Sequence, residues 1–327
     1  MKKFLLFLIF SSIFSMAWSD DSFFGGMGDT VFPSNATKVR MVSENVNIKF
    51  VKNEDSDDEF NSIKLFATCD FDFINPGNDA VITMGFPAEP YEDYDPETDT
   101  AKPDLSNLLI QDFTVYVDGQ KMPYELKKLS GKKRVPGIDI DYAYLWKVRL
   151  PQNKIVKLHH TYDFGNSGDD SGVSFVTYIL KTGALWDGLM DKAQITIDLG
   201  VPVEADDLKI IPKDYVYKDG LISWSYVNFK PTEDIRVEIT PEGKKLIDLK
   251  QNIESYKTKT LSELRILRNT VYAAHGKEFK SKDLNDYFLK QNWYVPNPNY
   301  TDDLLTPDQI ERVKMIEALE NEKRQTK

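Results

Sequence analysis

From Val39 to about Thr240, apolar and polar side chains mostly alternate. In Lys64–Phe73, Leu65, Ala67, Cys69, Phe71 and Phe73 fall on one face of a strand, and Lys64, Thr68, Asp70 and Asp72 on the other. Similar patterns predict strands at 39–51, 81–86, 113–117, 142–150, 155–164, 173–180, 194–199, 221–227 and 235–240. Asp118-Gly119 is a tight-turn signal, and it predicts a hairpin returning near Lys121–Leu126. So many short strands without intervening helical periodicity predict an antiparallel β-sandwich, one large or two packed. The acidic stretches 53–59 and 88–103 lack apolar periodicity and read as surface loops.

After Pro241 the period changes. Thr260-Leu261-Ser262-Glu263 has the spacing of a capping box, and Leu261, Leu264, Leu267, Val271 and Tyr272 follow on helical spacing. Gly276 falls where a C-terminal cap belongs. Ser281 begins a second predicted helix, and Thr306-Pro307-Asp308-Gln309 a third. The chain thus divides into a signal peptide (1–19), a β-sandwich region (20–241), a polar linker (242–256) and a small all-α domain (257–327).

The first division rests on Lys2 and Lys3, the apolar stretch 4–14, and Ala17 and Ser19 at a small-x-small cleavage site. These predict export to the periplasm or the cell exterior. No later stretch approaches the apolar length of a membrane span. One cysteine, Cys69, excludes an intrachain disulfide framework and a cysteine-based zinc cluster, and its strand position makes it a small core residue.

The 327 residues carry a formal charge of −11. That acidity argues against nucleic acid as a partner. The charge is uneven, however. Residues 20–256 hold 26 basic and 41 acidic side chains, whereas 257–327 hold 13 and 11. Window 257–282 is the most basic, with seven Lys or Arg against Glu263 and Glu278.

The C-terminal segment contains Arg268-Asn269, Tyr272-Ala273-Ala274-His275-Gly276 and Trp293-Tyr294-x-Pro296-Asn297. It resembles the YARHG domain of bacterial exported proteins, with Ala274 where the motif has arginine. The preceding region resembles the DUF4424 family of exported bacterial proteins through Trp146, Leu150-Pro151, His160-Thr161-Tyr162, Thr182-Gly183-Ala184, Trp186 and Gly188, with Gly25-Gly26 and Phe86-Pro87 nearer its start. Together the resemblances imply an envelope protein with an accessory or binding role.

No phosphate-binding glycine loop, H-E-x-x-H helix or G-x-S-x-G elbow is present. Asp170-Ser171-Gly172 resembles a serine-protease segment but reads as a turn. Asp95-x-Glu97-x-Asp99 begins like a calcium loop, yet Thr100 and Ser106 stand where Gly and Glu are needed. His159 and His160 are adjacent on a strand and face opposite sides. Neither a metal nor another cofactor is expected, and no catalytic residue is assigned.

The candidate binding residues are Tyr272, His275, Trp293 and Tyr294, with Arg265 and Arg268 nearby. Aromatics beside cations suit stacking on glycans or contact with an anionic polymer. A structural role is the competing reading, with His275 capping its helix and Tyr272 and Trp293 filling a small core. The sequence therefore predicts a non-enzymatic envelope protein whose tail contacts peptidoglycan or another envelope polymer. The alternatives are an envelope-acting hydrolase and a module that recruits an envelope protein.

Overall fold

A computed structural model describes residues 27–29, 32–33, 38–52, 63–95, 100–135, 138–165, 167–168, 173–200, 203–218 and 220–325. The signal peptide, Gly25-Gly26, the acidic stretch 53–59, Glu97 to Asp99 and the Asp170-Ser171-Gly172 turn lie outside these residues.

The largest sheet has eight strands. In spatial order they are Val216–Lys218, Leu221–Phe229, Met190–Asp198, Arg40–Lys52, Ile63–Ile74, Ile155–Gly165, Ile110–Val117 and Gln120–Lys121. All neighbours pair antiparallel except Met190–Asp198 with Arg40–Lys52. Alternation decides which face is dry. Leu65, Ala67, Cys69, Phe71 and Phe73 are buried, as are Val156, Leu158, His160, Tyr162 and Phe164 on the neighbouring strand.

Two smaller sheets complete the core against that face. One is built on Ile138–Leu150 and Ala80–Pro87, the other on Ser174–Ile179 and Ile235–Ile239. The layers interlock through aromatic rings. Phe86 lies 4.7 Å from Phe113 and 4.9 Å from Tyr162 between ring centroids, and Trp186 lies 4.5 Å from Phe73. The architecture is therefore mostly antiparallel β-sheet followed by a small all-α region.

Two local departures from the sequence reading have simple causes. The stretch 88–103, expected as a loop, includes the strand Pro90–Asp95 and the start of its partner Thr100–Leu108, which form a two-stranded ribbon. Pairing in a two-stranded ribbon rests on backbone hydrogen bonds, which do not require apolar alternation. The Asp118-Gly119 turn forms with positive φ at both residues, but its return strand is only Gln120–Lys121. The chain then passes Pro123, which cannot donate to a ladder, and joins another sheet at Glu125–Val135.

The helices are α1 (Glu242–Gln251), α2 (Ile253–Thr258), α3 (Leu261–Ala274), α4 (Lys282–Phe288) and α5 (Pro307–Gln325). Segment 242–256, expected as a polar linker, is instead helical. Its charges hide a narrow stripe: Leu246 and Leu249 are buried, and Leu249 packs with Leu264, Ile316 and Leu319. The capping box of α3 is present, with Thr260 and Glu263 bonding reciprocally. At α5, Thr306 and Gln309 exchange the same pair of bonds, at 3.0 and 3.3 Å. None of the helices among the described residues is long and apolar enough to cross a membrane.

Candidate binding site

Helices and sheets share one core. Ala273, Leu284, Phe288, Trp293 and Tyr294 belong to the same buried cluster as the sheet residues, and Asn292 Nδ2 donates to Tyr217 O at 3.0 Å. Where the two regions meet, a cleft of about 610 Å³ opens. Its walls include Glu204 and Asp207 around a short turn of the β region, Glu242 and Lys245 at the start of α1, Arg312 on α5, and Ala274 and His275 at the end of α3.

The charged residues form one network. Lys245 Nζ lies 2.7 Å from Asp207, 3.2 Å from Glu242 and 3.6 Å from Glu204. Arg312 Nε lies 2.6 Å from Glu242 Oε1, and its Nη2 lies 3.8 Å from Glu204. Burial pushes the Glu204 and Asp207 carboxyls above their ordinary range, and Lys245 pulls them back. Burial works against the Lys245 ammonium, but Glu204, Asp207 and Glu242 outweigh it and raise its pKa.

His275 enters the cleft wall on a fixed backbone. Gly276 has φ +82°, and a Cβ there would stand 2.5 Å from Asn297 Cβ and 2.6 Å from Val295 O. Asn297 N donates to Gly276 O at 2.8 Å. The His-Gly and Pro-Asn pieces of the motif thus meet in space, and only glycine fits that contact. His275 Nε2 lies 2.8 Å from Gln309 Oε1, the oxygen that also accepts from Thr306 N at the start of α5. Because that oxygen only accepts, Nε2 is the donor.

The other sequence candidates have different surroundings. Trp293 and Tyr294 are buried against Phe288, and Tyr294 Oη donates to Lys277 O at 2.9 Å. Half-buried Tyr272 has Lys277 Nζ 4.1 Å from its ring centroid. Arg265 binds Asp283 and Ser281, and holds the Asp283 carboxyl down to about 2. Arg268 Nε donates to Glu320 Oε1 at 2.7 Å, and that carboxylate is fully buried. Of the six candidates, only His275 lines the cleft. Glu204, Asp207, Glu242, Lys245 and Arg312 were not singled out from sequence. The i,i+3 pair Glu242–Lys245 was the one readable hint.

A second depression, of about 640 Å³, lies on the polar face of the eight-stranded sheet. Two side-chain pairs cross it: His159 Nδ1 is 2.7 Å from Asp70, and Lys157 Nζ is 3.0 Å from Asp72. His160 points the other way, into the core. Phe71, Phe86, Phe113 and Trp146 surround it with centroids 5.3 to 5.7 Å away, and neither ring nitrogen has a hydrogen-bond partner. Burial, with His159 adding to it, holds its pKa down to about 3. Cys69 is buried and its thiol is pushed well up, chiefly by burial, so it supplies no thiolate nucleophile. Among the described residues, no group of three or more His, Cys, Asp or Glu is placed to hold a metal ion.

Comparison with known proteins identifies the helical region first. Residues 242–321 match the YARHG domain, so this C-terminal part is a YARHG domain that begins at α1. Nearly the whole chain is similar to a crystal structure from Legionella pneumophila, provisionally described as that of a nutrient-binding protein. The TM-score is 0.64 at 25% identity, over 90% of this chain and 98% of that one. An M1 zinc metallopeptidase from Deinococcus radiodurans aligns at TM-score 0.30 and 8% identity, over 63% of this chain and 43% of that one, a likeness too low to carry an argument. No curated protein matches the chain in sequence.

Proposed function

We propose that this chain is an exported, non-enzymatic binding protein of the bacterial envelope, and that its ligand site is the cleft between the β region and the YARHG helices. The observation that carries the reading is the end-to-end likeness to the Legionella protein described as nutrient binding. The cleft supports it: its volume suits a small molecule, and apolar walls surround a few convergent charged groups. The leader-like segment 1–19 and the resemblance of residues 20–241 to DUF4424 support export.

The test is a thermal-shift screen of the full chain against amino acids, amines, sugars, nucleosides and small carboxylates. At least one compound raises Tm, and Ala274→Trp, which fills the cleft, removes that response. A screen in which nothing shifts Tm, or in which Ala274→Trp leaves the shift intact, sinks the reading.

The polymer contact is a second reading, supported by the basic window 257–282. It has less free charge than the sequence suggests, because Arg265 and Arg268 are held by Asp283 and Glu320. Cosedimentation of the full chain with purified cell wall at low salt tests it, and protein remaining wholly in the supernatant excludes it.

A further inference from the structure

We infer that the cleft takes a small cation, an alkylammonium or guanidinium group carried on an apolar body. The inference rests on the reading that the cleft is the ligand site, and it names the chemistry of the ligand.

Three observations converge. First, charge in the cleft does not close: three carboxylates, Glu204, Asp207 and Glu242, face two cations, Lys245 and Arg312. One negative charge is left over in a partly desolvated place, where an added cation interacts strongly. Second, hydrogen bonding does not close either. Glu242 Oε1 forms an ion pair with Arg312 Nε at 2.6 Å, but no N–H is aligned on that oxygen. Arg312 is itself nine-tenths buried, and both residues line the cleft. That oxygen, already paired in charge with Arg312, keeps a lone pair that an N–H from a ligand can fill. Third, a side chain is cut short at this spot. Ala274 lines the same cleft, at the position where the YARHG motif has arginine. The methyl group leaves room for a guanidinium or ammonium group supplied from outside.

The rest of the wall selects the ligand's body. Val203, Ile239, Val271, Val295 and Leu304 line the cleft, so a short alkyl chain buries its methylenes there.

The experiment is calorimetric titration of the full chain with agmatine and cadaverine, alongside pentane-1,5-diol and glutarate, which match cadaverine in chain length but are neutral and anionic. Cadaverine or agmatine binds at least tenfold more tightly than the diol, and glutarate gives no heat. Glu204→Gln weakens the cation at least tenfold. Ala274→Arg abolishes its binding and raises Tm in the absence of ligand. Should Ala274→Arg fail to fold, Glu204→Gln decides alone. If neither cation binds, or both bind equally well to the Glu204→Gln chain, the inference is overturned. If instead the diol or glutarate binds and Ala274→Trp blocks it, the cleft remains the ligand site and only the cationic preference is wrong.

Discussion

His160 sits in the sheet core among four aromatic rings with no hydrogen-bond partner, whereas Lys245, where the sheets meet the helices, touches three carboxylates. One polar group is buried and the other half-buried, but the core keeps its imidazole neutral and the junction keeps its ions charged. The difference follows from what each can surrender. An imidazole loses its charge at little cost near neutral pH, while an ammonium or guanidinium does not and must be given counter-charges. The core thus excludes water and chemistry alike, and the junction holds the groups able to meet a ligand.

The sharpest way to break this contrast is acid. His160 has a folded pKa near 3 against an ordinary 6.5, so the unfolded chain binds more protons between those values. Its contribution to stability is intact above about pH 6.5, falls as the pH drops, and levels off near pH 3, for a loss of about 5 kcal/mol. His160→Phe removes that loss and changes stability at pH 7 by under about 1.5 kcal/mol. Urea denaturation of both chains at pH 7 and pH 4 checks the expectation. Glu204 and Asp207 respond with the opposite sign. Their raised pKa values make the folded chain the better proton binder just above the ordinary carboxylate range, so their terms favour folding as pH falls through that window.

Next in size is Arg312→Met. It leaves Lys245 alone against Glu204, Asp207 and Glu242 in a desolvated place and costs about 3–5 kcal/mol in chemical denaturation at neutral pH. Replacing Arg312 together with Glu242 by apolar residues recovers part of that loss. Gly276→Ala follows, at about 2–3 kcal/mol, because the new Cβ meets the backbone of Val295 and Asn297 at a positive φ. Circular dichroism under denaturant reads it, and a cost no larger than that of an exposed helix substitution would separate the motif glycine from the junction. The smallest effect is at the cap. Thr260→Ala removes one half of the capping box of α3 and lowers stability by about 1 kcal/mol.

Much of the fold was written in local patterns. The alternation in Lys64–Phe73 reports the buried face of a central strand, and Thr260-x-x-Glu263 reports the start of α3. Signals without an apolar face were misread: the acidic ribbon beyond Pro90 looked like a loop, and α1 looked like a linker because Leu246 and Leu249 are outnumbered by charges. Of the candidate site, His275 was legible from its motif. The ion network was not, since Glu204, Glu242 and Arg312 come from three separate stretches of chain that only the folded junction brings together. Trp293 and Tyr294 show the converse: aromatic spacing alone does not distinguish a stacking face from a buried one.

The absence of a linker has a practical consequence for a protease. Only Thr240 and Pro241 separate the strand Ile235–Ile239 from α1, and Thr240 N is tied to Asp207 O at 2.9 Å. An enzyme that must draw several extended residues into its groove finds no slack there. Limited digestion should therefore leave the helices attached to the sheets, and the first cut should fall away from the 240–258 segment.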